Sequence, residues 1–190
     1  MRPVKQSKKH NKGGSMKKGF TLVELVVVIA IIAILAAVIA PNAFKSIEKA
    51  RISATVGHLD AIKTAVMQFY TDNSVWPANA TTVAANELMN NTNSYSTWDG
   101  PYLDKWPSAG QWQNSVYNLR NYAGVNWDGA GGNDAGRFTE LTNVPIASAR
   151  KIDLAIDGVT CSTAGAIRYD NSSTTTANIS ALISTDVMVN

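Results

Sequence analysis

Residues 17–41 read KKGFTLVELVVVIAIIAILAAVIAP and contain the longest apolar run of the chain. From Phe20 to Ala40 the chain is apolar except for Thr21 and Glu24, and Pro41 follows directly. As a helix, these 21 residues would span about 31 Å, which is enough to cross a hydrocarbon core of about 30 Å. The sequence therefore predicts a membrane-spanning helix close to the N-terminus.

The distribution of charge orients this helix. The chain has 190 residues and a formal net charge of +3, and seven of its 17 Lys and Arg residues lie within residues 1–19, which contain no Asp or Glu. This basic flank predicts a cytoplasmic N-terminus, with the bulk of the chain on the other side of the membrane. Without residues 1–19 the side-chain charge is −4, so the pI near 9.0 does not indicate specific nucleic-acid binding.

Few residues are available for catalysis or metal binding. Cys161 is the only cysteine, and His10 and His58 are the only histidines. This excludes an intramolecular disulfide and a cysteine-cluster metal site, and it argues against a serine–histidine triad. The carboxylates after residue 72 are scattered along the chain, without clustered acid–base partners. The sequence therefore predicts a protein that is not an enzyme and requires no cofactor.

Three alternatives explain the apolar segment. A cleavable secretory signal would be shorter and would end at a small-residue site, whereas here Pro41 follows Ala40 at once. A plain membrane anchor explains every residue except Glu24, because a carboxylate near the middle of an apolar helix is costly and calls for a partner cation. The third alternative, a helix that assembles with copies of itself, supplies that cation if the chain is cut before Phe20.

A stripe of small residues also favours helix association. It consists of Ala30, Ala33, Ala37 and Ala40, and such stripes let membrane helices pack closely. At about 100° per residue the stripe lies roughly opposite Glu24, so two faces are equipped for helix contacts. Alanine is also common in membrane helices, which is the simpler explanation.

The residues from Lys17 to Leu25 resemble the class III signal of type IV pilins and type II secretion pseudopilins. The resemblance covers this motif, the apolar stretch and Pro41. It implies that a prepilin peptidase cuts between Gly19 and Phe20 and N-methylates the new Phe20 amine. It also implies that Glu24 pairs with the Phe20 amine of a neighbouring subunit, which would neutralise two charges that are costly apart in lipid.

The same resemblance gives Pro41 a part in assembly. Proline removes one backbone hydrogen bond and clashes one turn back, so we expect a kink or a local loosening of the helix there. A leader of 19 residues is longer than many in this family, and Met16 lies three residues before Gly19, so the start codon is open between Met1 and Met16. Many relatives also carry Gly where this chain has Ala33.

The resemblance further implies partners and a location. The expected partners are other copies of the chain in a helical homopolymer, other pilin-like subunits, the prepilin peptidase and methyltransferase, the inner-membrane assembly platform and membrane lipid. The expected location is the cytoplasmic membrane, with a single pass and a cytoplasmic N-terminus. The head and the assembled filament would lie in the periplasm or outside the cell.

Composition divides the chain into a leader (1–19), a transmembrane or filament-core helix (20–41), an amphipathic continuation (42–72) and a globular head (73–190). Apolar residues of the continuation recur at helical spacing, namely Phe44, Ile47, Ile52, Val56, Leu59, Ile62, Val66 and Phe69. Such a stripe needs a cover. The predicted fold class is α+β, a long N-terminal α-helix packed against a small antiparallel β-sheet head, as in pilins.

The head is predicted to contain several short elements. We expect helices over 81–89 and 146–156, and strands over 116–122, 166–169, 179–183 and 187–189. Most of the five tryptophans, Trp76, Trp98, Trp106, Trp112 and Trp127, should pack under loops, with one or two left for interfaces. His58 should be structural or exposed and not a metal ligand.

Residues 100–103, Gly-Pro-Tyr-Leu, resemble a segment of the major type II secretion pseudopilins. Those proteins bind calcium in a C-terminal loop, and here residues 124–136 are rich in Gly, Asn and Asp, with Asn126, Asp128 and Asp134 as candidate oxygen ligands. An exposed turn-rich loop without metal explains the same residues.

The functional prediction is a structural subunit of a type II secretion pseudopilus, processed by prepilin peptidase and polymerised into a helical filament that drives protein export. The alternative is a major or minor type IV pilin of a surface fibre for adhesion, motility or DNA uptake. The Gly-Pro-Tyr-Leu segment favours the first, and the length and extra C-terminal strands favour the second.

Overall fold

The computed structural model describes residues 19–80, 86–121, 136–169 and 175–184. Within these ranges the elements are α1 (Leu22–Asn73), β1 (Tyr117–Asn121), β2 (Arg137–Pro145), α2 (Ile146–Asp157), β3 (Ile167–Tyr169) and β4 (Thr176–Ser184). The chain forms two compact units that divide between Phe44 and Lys45. A long helix with a small antiparallel sheet confirms the predicted α+β class.

The first unit is the apolar part of α1. Every side chain from Gly19 to Phe44 is exposed, and Phe20 is 85% exposed. By length and composition alone, α1 contains a segment that could cross a membrane. Pro41 lies inside α1, with helical residues on both sides, so the helix continues past the proline. The predicted kink or loosening at Pro41 stays a prediction.

The second unit is built around the C-terminal part of α1. Its buried face consists of Ile52, Thr55, Leu59, Ile62, Ala65, Val66 and Phe69. Spacings of three and four place these side chains on one side of the helix. Ile62 and Phe69 have no exposed surface and lie at the centre of the core.

The predicted apolar face was wrong at its N-terminal end. Phe44 and Ile47 are 70% and 49% exposed, because the core of the head begins only at Ile52. Val56 is half-buried, and Thr55 is buried in its place. Thr55 tolerates burial because its hydroxyl donates a hydrogen bond to the Arg51 carbonyl at 2.9 Å.

Polar groups end α1 where the sequence suggested. The helix ends at Asn73, whose side-chain amide donates to the Phe69 carbonyl at 3.0 Å. Ser74 adopts a positive φ of 54°, and its N–H donates to the Tyr70 carbonyl at 2.8 Å. These bonds satisfy carbonyls of the last turn, which have no partner within the helix.

The sheet has four antiparallel strands in the order β1-β2-β4-β3 within the described residues. One row across it joins Tyr117, Leu141, Ile179 and Tyr169, all of them buried. Residues opposite one another on neighbouring strands share a face. This row therefore faces the core. The neighbouring row, Asn118, Glu140, Ser180 and Arg168, is polar and lies on the other face.

Three of the four predicted strands match observed strands. They are 116–122 as β1, 166–169 as β3 and 179–183 as β4, and the predicted helix over 146–156 is α2. The fourth, 187–189, lies outside the described residues. Of the helix predicted over 81–89, residues 87–89 form a turn, so that part of the prediction was wrong; residues 81–85 are outside the described ranges.

Sequence analysis missed β2, although it lies between β1 and β4 and pairs with both. Its sequence, RFTELTNVP, contains only three large apolar residues among nine. Thr139 and Glu140 lie in its first half, where Thr139 is buried and Glu140 is half-buried. Pairing on both edges, and not local hydrophobicity, makes this segment a strand.

Candidate functional site

The N-terminal motif forms a reciprocal cap on α1. Glu24 Oε2 accepts hydrogen bonds from the backbone N–H of Thr21 at 2.9 Å and from its hydroxyl at 2.7 Å. In return, Thr21 Oγ1 accepts the backbone N–H of Glu24 at 3.2 Å. This is the capping box, in which two residues three apart satisfy each other's free groups at a helix N-terminus.

The cap corrects the predicted environment of Glu24. The structure places Glu24 in the first turn of α1, not near the middle of an apolar helix, because the helix begins only at Leu22. A carboxylate is favourable at this end, where the helix dipole presents its positive pole. The Thr21-x-x-Glu24 signature was visible in the sequence, and it gives Glu24 a local partner in addition to the predicted intersubunit one.

Gly19 and Phe20 precede the helix and are both exposed. Nothing lies within 4 Å of a Cβ atom added at Gly19. A peptidase needs access to the peptide bond that it cuts, and both residues of the Gly19–Phe20 bond are exposed. Cleavage there and N-methylation of Phe20 remain predictions.

The Gly-Pro-Tyr-Leu segment packs against the end of α1. The backbone N–H groups of Tyr102 and Leu103 donate to the Leu88 carbonyl at 2.8 and 3.2 Å. The Tyr102 ring meets the Phe69 ring edge-to-face at 5.5 Å, and the Asn73 amide donates to the Tyr102 hydroxyl at 3.2 Å. In this chain the segment therefore has a structural role.

His58 and Trp106 lie together in the head. The Nδ1 atom of His58 is 3.3 Å from the hydroxyl of buried Tyr117, and their rings meet edge-to-face. Trp106 is 1% exposed, and the other described tryptophans are half-buried, as the packing interpretation expects; Trp127 lies outside the described residues. No group of three or more potential metal ligands occurs among the described residues.

The predicted calcium ligands Asn126, Asp128 and Asp134 lie outside the described residues. Calcium binding therefore stays a prediction, with the turn-rich loop as its alternative.

Two further polar links were not predicted. Glu48 on α1 accepts a hydrogen bond from the Ser148 hydroxyl on α2, and Lys151 Nζ lies 3.9 Å from the same carboxylate. At the other end of α2, Asp157 accepts the backbone N–H of Ile167 at 2.9 Å. These bonds connect α2 to α1 and to β3. The bonded residues lie too far apart in the sequence for a local sequence pattern to predict the contacts.

Comparison with known proteins finds related sequences for two parts of the chain. Residues 14–40 match the family described as "Prokaryotic N-terminal methylation motif", and residues 46–130 match "PilW, C-terminal". The chain is 40% identical over 65 residues to a type IV major pilin protein PilE1 of Neisseria gonorrhoeae, which covers 34% of this chain and 30% of that pilin. These matches support a type IV pilin-like family member.

Other relatives of this pilin-like chain are similar over the same length. A fimbrial protein of Neisseria meningitidis serogroup A is 40% identical over 67 residues, 35% of this chain and 39% of the relative. Fimbrial protein EcpC of Eikenella corrodens is 42% identical over 63 residues, 33% and 41% of the two chains. The match thus spans less than half of each relative. No solved structure matches the chain.

Proposed function

We propose that this pilin-like chain is a subunit of a type IV pilus, a surface fibre, and that it assembles after cleavage at Gly19–Phe20. The observation that carries this proposal is that about a third of the chain is similar in sequence to type IV major pilins. The relatives described above are pilins and fimbrial proteins. We therefore prefer the surface fibre to the type II secretion pseudopilus, which the Gly-Pro-Tyr-Leu segment had favoured.

The exposed apolar helix supports a role in a polymer. From Phe20 to Phe44 the described chain presents only exposed side chains, most of them large and apolar. A surface of this kind is stable only when lipid or other protein covers it. Lipid would cover it in the precursor, and helices of neighbouring subunits would cover it in the fibre, where the alanine stripe permits close approach.

The head supports the proposal because it has its own core. This core begins at Ile52 and contains no residue of the first unit. The apolar helix can therefore move from lipid to filament without unfolding the head. The proposed mature subunit, Phe20 to Asn190, has a side-chain charge of −4.

Deletion of the gene tests the proposal, with surface fibres and protein export measured on the same strain. We expect fibres to disappear while export continues, and a plasmid copy to restore the fibres. Loss of export with fibres intact would select the pseudopilus instead. Because the two assays are read separately, each outcome points to one assembly.

Intact-mass analysis of the membrane-extracted subunit tests processing. We expect a chain that starts at Phe20 and carries one additional methyl group. A mass that still includes residues 16–19 would refute the proposed maturation, whatever the fibre assay shows.

A further inference from the structure

Three cations lie at the start of the second unit, shortly after the apolar segment. They are Lys45, Lys49 and Arg51, all exposed, and we call them the membrane-proximal cations. Lys45 is the fifth residue after Ala40, where the apolar run ends. Whatever conformation the linking residues adopt, they span at most about 18 Å. These charges therefore stay close to a bilayer whenever the apolar segment lies in one.

Within the described residues, the membrane-proximal cations form no ion pair. Glu48 lies among them in the sequence, but its carboxylate is directed to α2. There it accepts a hydrogen bond from the Ser148 hydroxyl and lies 3.9 Å from Lys151 Nζ. Glu48 thus has a cation of its own on α2, and the three membrane-proximal charges are available to another partner.

The membrane-proximal cations lie on two sides of α1. Lys45 and Lys49 are four residues apart and share one side of the helix. Arg51 follows Lys49 by two residues, which places it about 200° farther round the helix. Glu48 lies between them, on the side that contacts α2. One neighbouring subunit packed against α1 would meet one of these sides, whereas a bilayer surface surrounds the helix and meets both.

An exposed apolar side chain accompanies the cations. Ile47 is 49% exposed and precedes Arg51 by four residues, so the two share a side of α1. Basic residues beside exposed apolar ones are typical of helices that lie at a membrane surface. The composition of this turn of α1 therefore favours contact with lipid.

Charge is divided unevenly along the second unit. Residues 45–51 contain three Lys and Arg and one Glu, a net charge of +2. Residues 52–190 contain seven Lys and Arg and 12 Asp and Glu, a net charge of −5. An anionic surface would attract the first segment and repel the second. It would therefore select this end of the head.

We propose that the membrane-proximal cations bind the headgroups of anionic phospholipids while the apolar segment lies in a bilayer. Ammonium and guanidinium groups form charge-assisted hydrogen bonds with phosphate, which is the group that such lipids present. Each Lys or Arg near an anionic membrane strengthens the contact about fivefold. The proposal rests on membrane anchoring of α1, and it applies equally to a subunit of a surface fibre and to one of a secretion pseudopilus.

Fluorescence of a probe beside these cations tests the proposal in the full chain. The probe is a bimane attached to Ala50→Cys, an exposed position, with Cys161→Ser to remove the native thiol. The chain is reconstituted in vesicles of phosphatidylcholine, alone or mixed with phosphatidylglycerol. Quenching by acrylamide, which is uncharged, measures access of water to the probe. We expect quenching about twofold weaker in the mixed vesicles, and no difference at about 1 M salt, where charges are screened beyond about 3 Å.

Two matched double variants separate local contact from net charge. Lys45→Gln with Lys49→Gln should lose most of the difference between the two kinds of vesicle. Lys63→Gln with Lys105→Gln removes the same charge from exposed positions elsewhere in the head, and it should keep the whole difference. The basic leader is the same in all of these chains, so it does not contribute to a difference between variants.

Equal quenching in the two kinds of vesicle would overturn the proposal, and so would an equal loss of the difference in both double variants. A difference that disappears when the chain is diluted into more lipid would overturn it as well, because a second copy of the chain would then be covering the probe. Flotation with the vesicles measures insertion separately. A chain that floats with neither kind of vesicle would refute membrane anchoring itself, and this proposal with it.

Discussion

The Asp153 carboxylate accepts a hydrogen bond of 2.7 Å from the backbone N–H of Cys161, which ties α2 to the loop that leads to β3. Asp153 is fully buried, and its second oxygen has no hydrogen-bond partner among the described residues. Burial raises the pKa of Asp153 above its usual value; the hydrogen bond from the Cys161 N–H opposes this increase, and the nearby Asp157 carboxylate adds to it. The loop is thus held by a carboxylate whose charged form is disfavoured.

This carboxylate predicts a pH dependence of stability. Because the folded pKa of Asp153 lies above its unfolded value of about 3.9, the folded head binds more protons between the two values. The contribution of Asp153 is therefore fully present below the unfolded pKa and is lost as pH rises through the folded one. Asp153→Asn, which keeps an acceptor oxygen for Cys161 without the charge, should flatten this part of the profile.

Urea unfolding of the full chain in detergent, repeated from pH 3 to pH 7, measures this effect. The matched control is Asp60→Asn, which removes a carboxylate from an exposed position of α1. The Asp60→Asn control should keep the wild-type change of unfolding free energy with pH. If Asp153→Asn also keeps it, burial of the Asp153 carboxylate does not govern the pH dependence of stability.

Two glycines predict opposite effects of the same substitution. Gly158 ends α2 with φ of 75°, and its N–H donates to the Leu154 carbonyl at 3.1 Å. Gly57 lies inside α1, and an added Cβ meets nothing within 4 Å at either position. Gly158→Ala should lose about 1 kcal/mol of unfolding free energy, because the left-handed region disfavours side chains. Gly57→Ala should gain about 0.5–1 kcal/mol.

Chemical denaturation of both glycine variants gives the comparison. Since neither Cβ contacts other atoms, any difference in sign comes from the backbone alone. Destabilisation by both substitutions would mean that packing, and not conformation, decides at these positions.

Cys161 should react at lower pH than an ordinary thiol. Two hydrogen bonds lower the pKa of Cys161, the larger effect coming from the Thr163 backbone and the smaller from the Thr163 side chain. Cys161 itself is half-buried. Because the thiolate is the nucleophile, the rate of alkylation by iodoacetamide should reach half its maximum below about pH 8.5 in the native protein. In urea the midpoint should return to the ordinary value. Equal midpoints in both states would contradict the assignment.

Two isoleucines of α1 should differ in their contribution to stability. Ile62 is fully buried in the core of the head, whereas Ile47 is 49% exposed. Ile62→Ala should lose about 2–5 kcal/mol, through lost burial and the cavity left behind. Ile47→Ala should stay within about 0.5 kcal/mol of wild type. A large loss of stability in Ile47→Ala would place the edge of the core one turn earlier.

Thr21 and Glu24 can be separated in an assembly assay. Glu24→Ala should be cleaved normally but absent from the fibres, because it removes the charge proposed to meet the Phe20 amine of a neighbour. Thr21→Ala breaks the cap but keeps that charge, so it should still assemble. Immunoblots of the membrane and of sheared fibres measure both steps. Equal failure of the two variants would assign the defect to the cap.

The long periodic features were predictable from sequence, because many residues repeat the same signal. The end of α1 near Asn73, the α2 helix and three strands follow from periodicity and breakers. The strand β2 was not predictable, because its sequence is largely polar and it is buried through pairing with β1 on one edge and β4 on the other. A pocket lined by His58 and Trp106 was also hidden, because only the folded chain brings α1 to the segment after Gly-Pro-Tyr-Leu.

The capping box on α1 changes what filament assembly would require of Glu24. Its carboxylate already holds two hydrogen bonds from Thr21 before any neighbour arrives. In the proposed fibre the Glu24 carboxylate would therefore exchange Thr21 for the Phe20 amine of a neighbouring subunit. It would not go from unpaired to paired. Such an exchange would add little net free energy, so burial of the apolar helix surface would supply most of the driving force for assembly. In the proposed fibre a subunit could then leave without exposing an unpaired carboxylate, since Glu24 would return to its hydrogen bonds with Thr21.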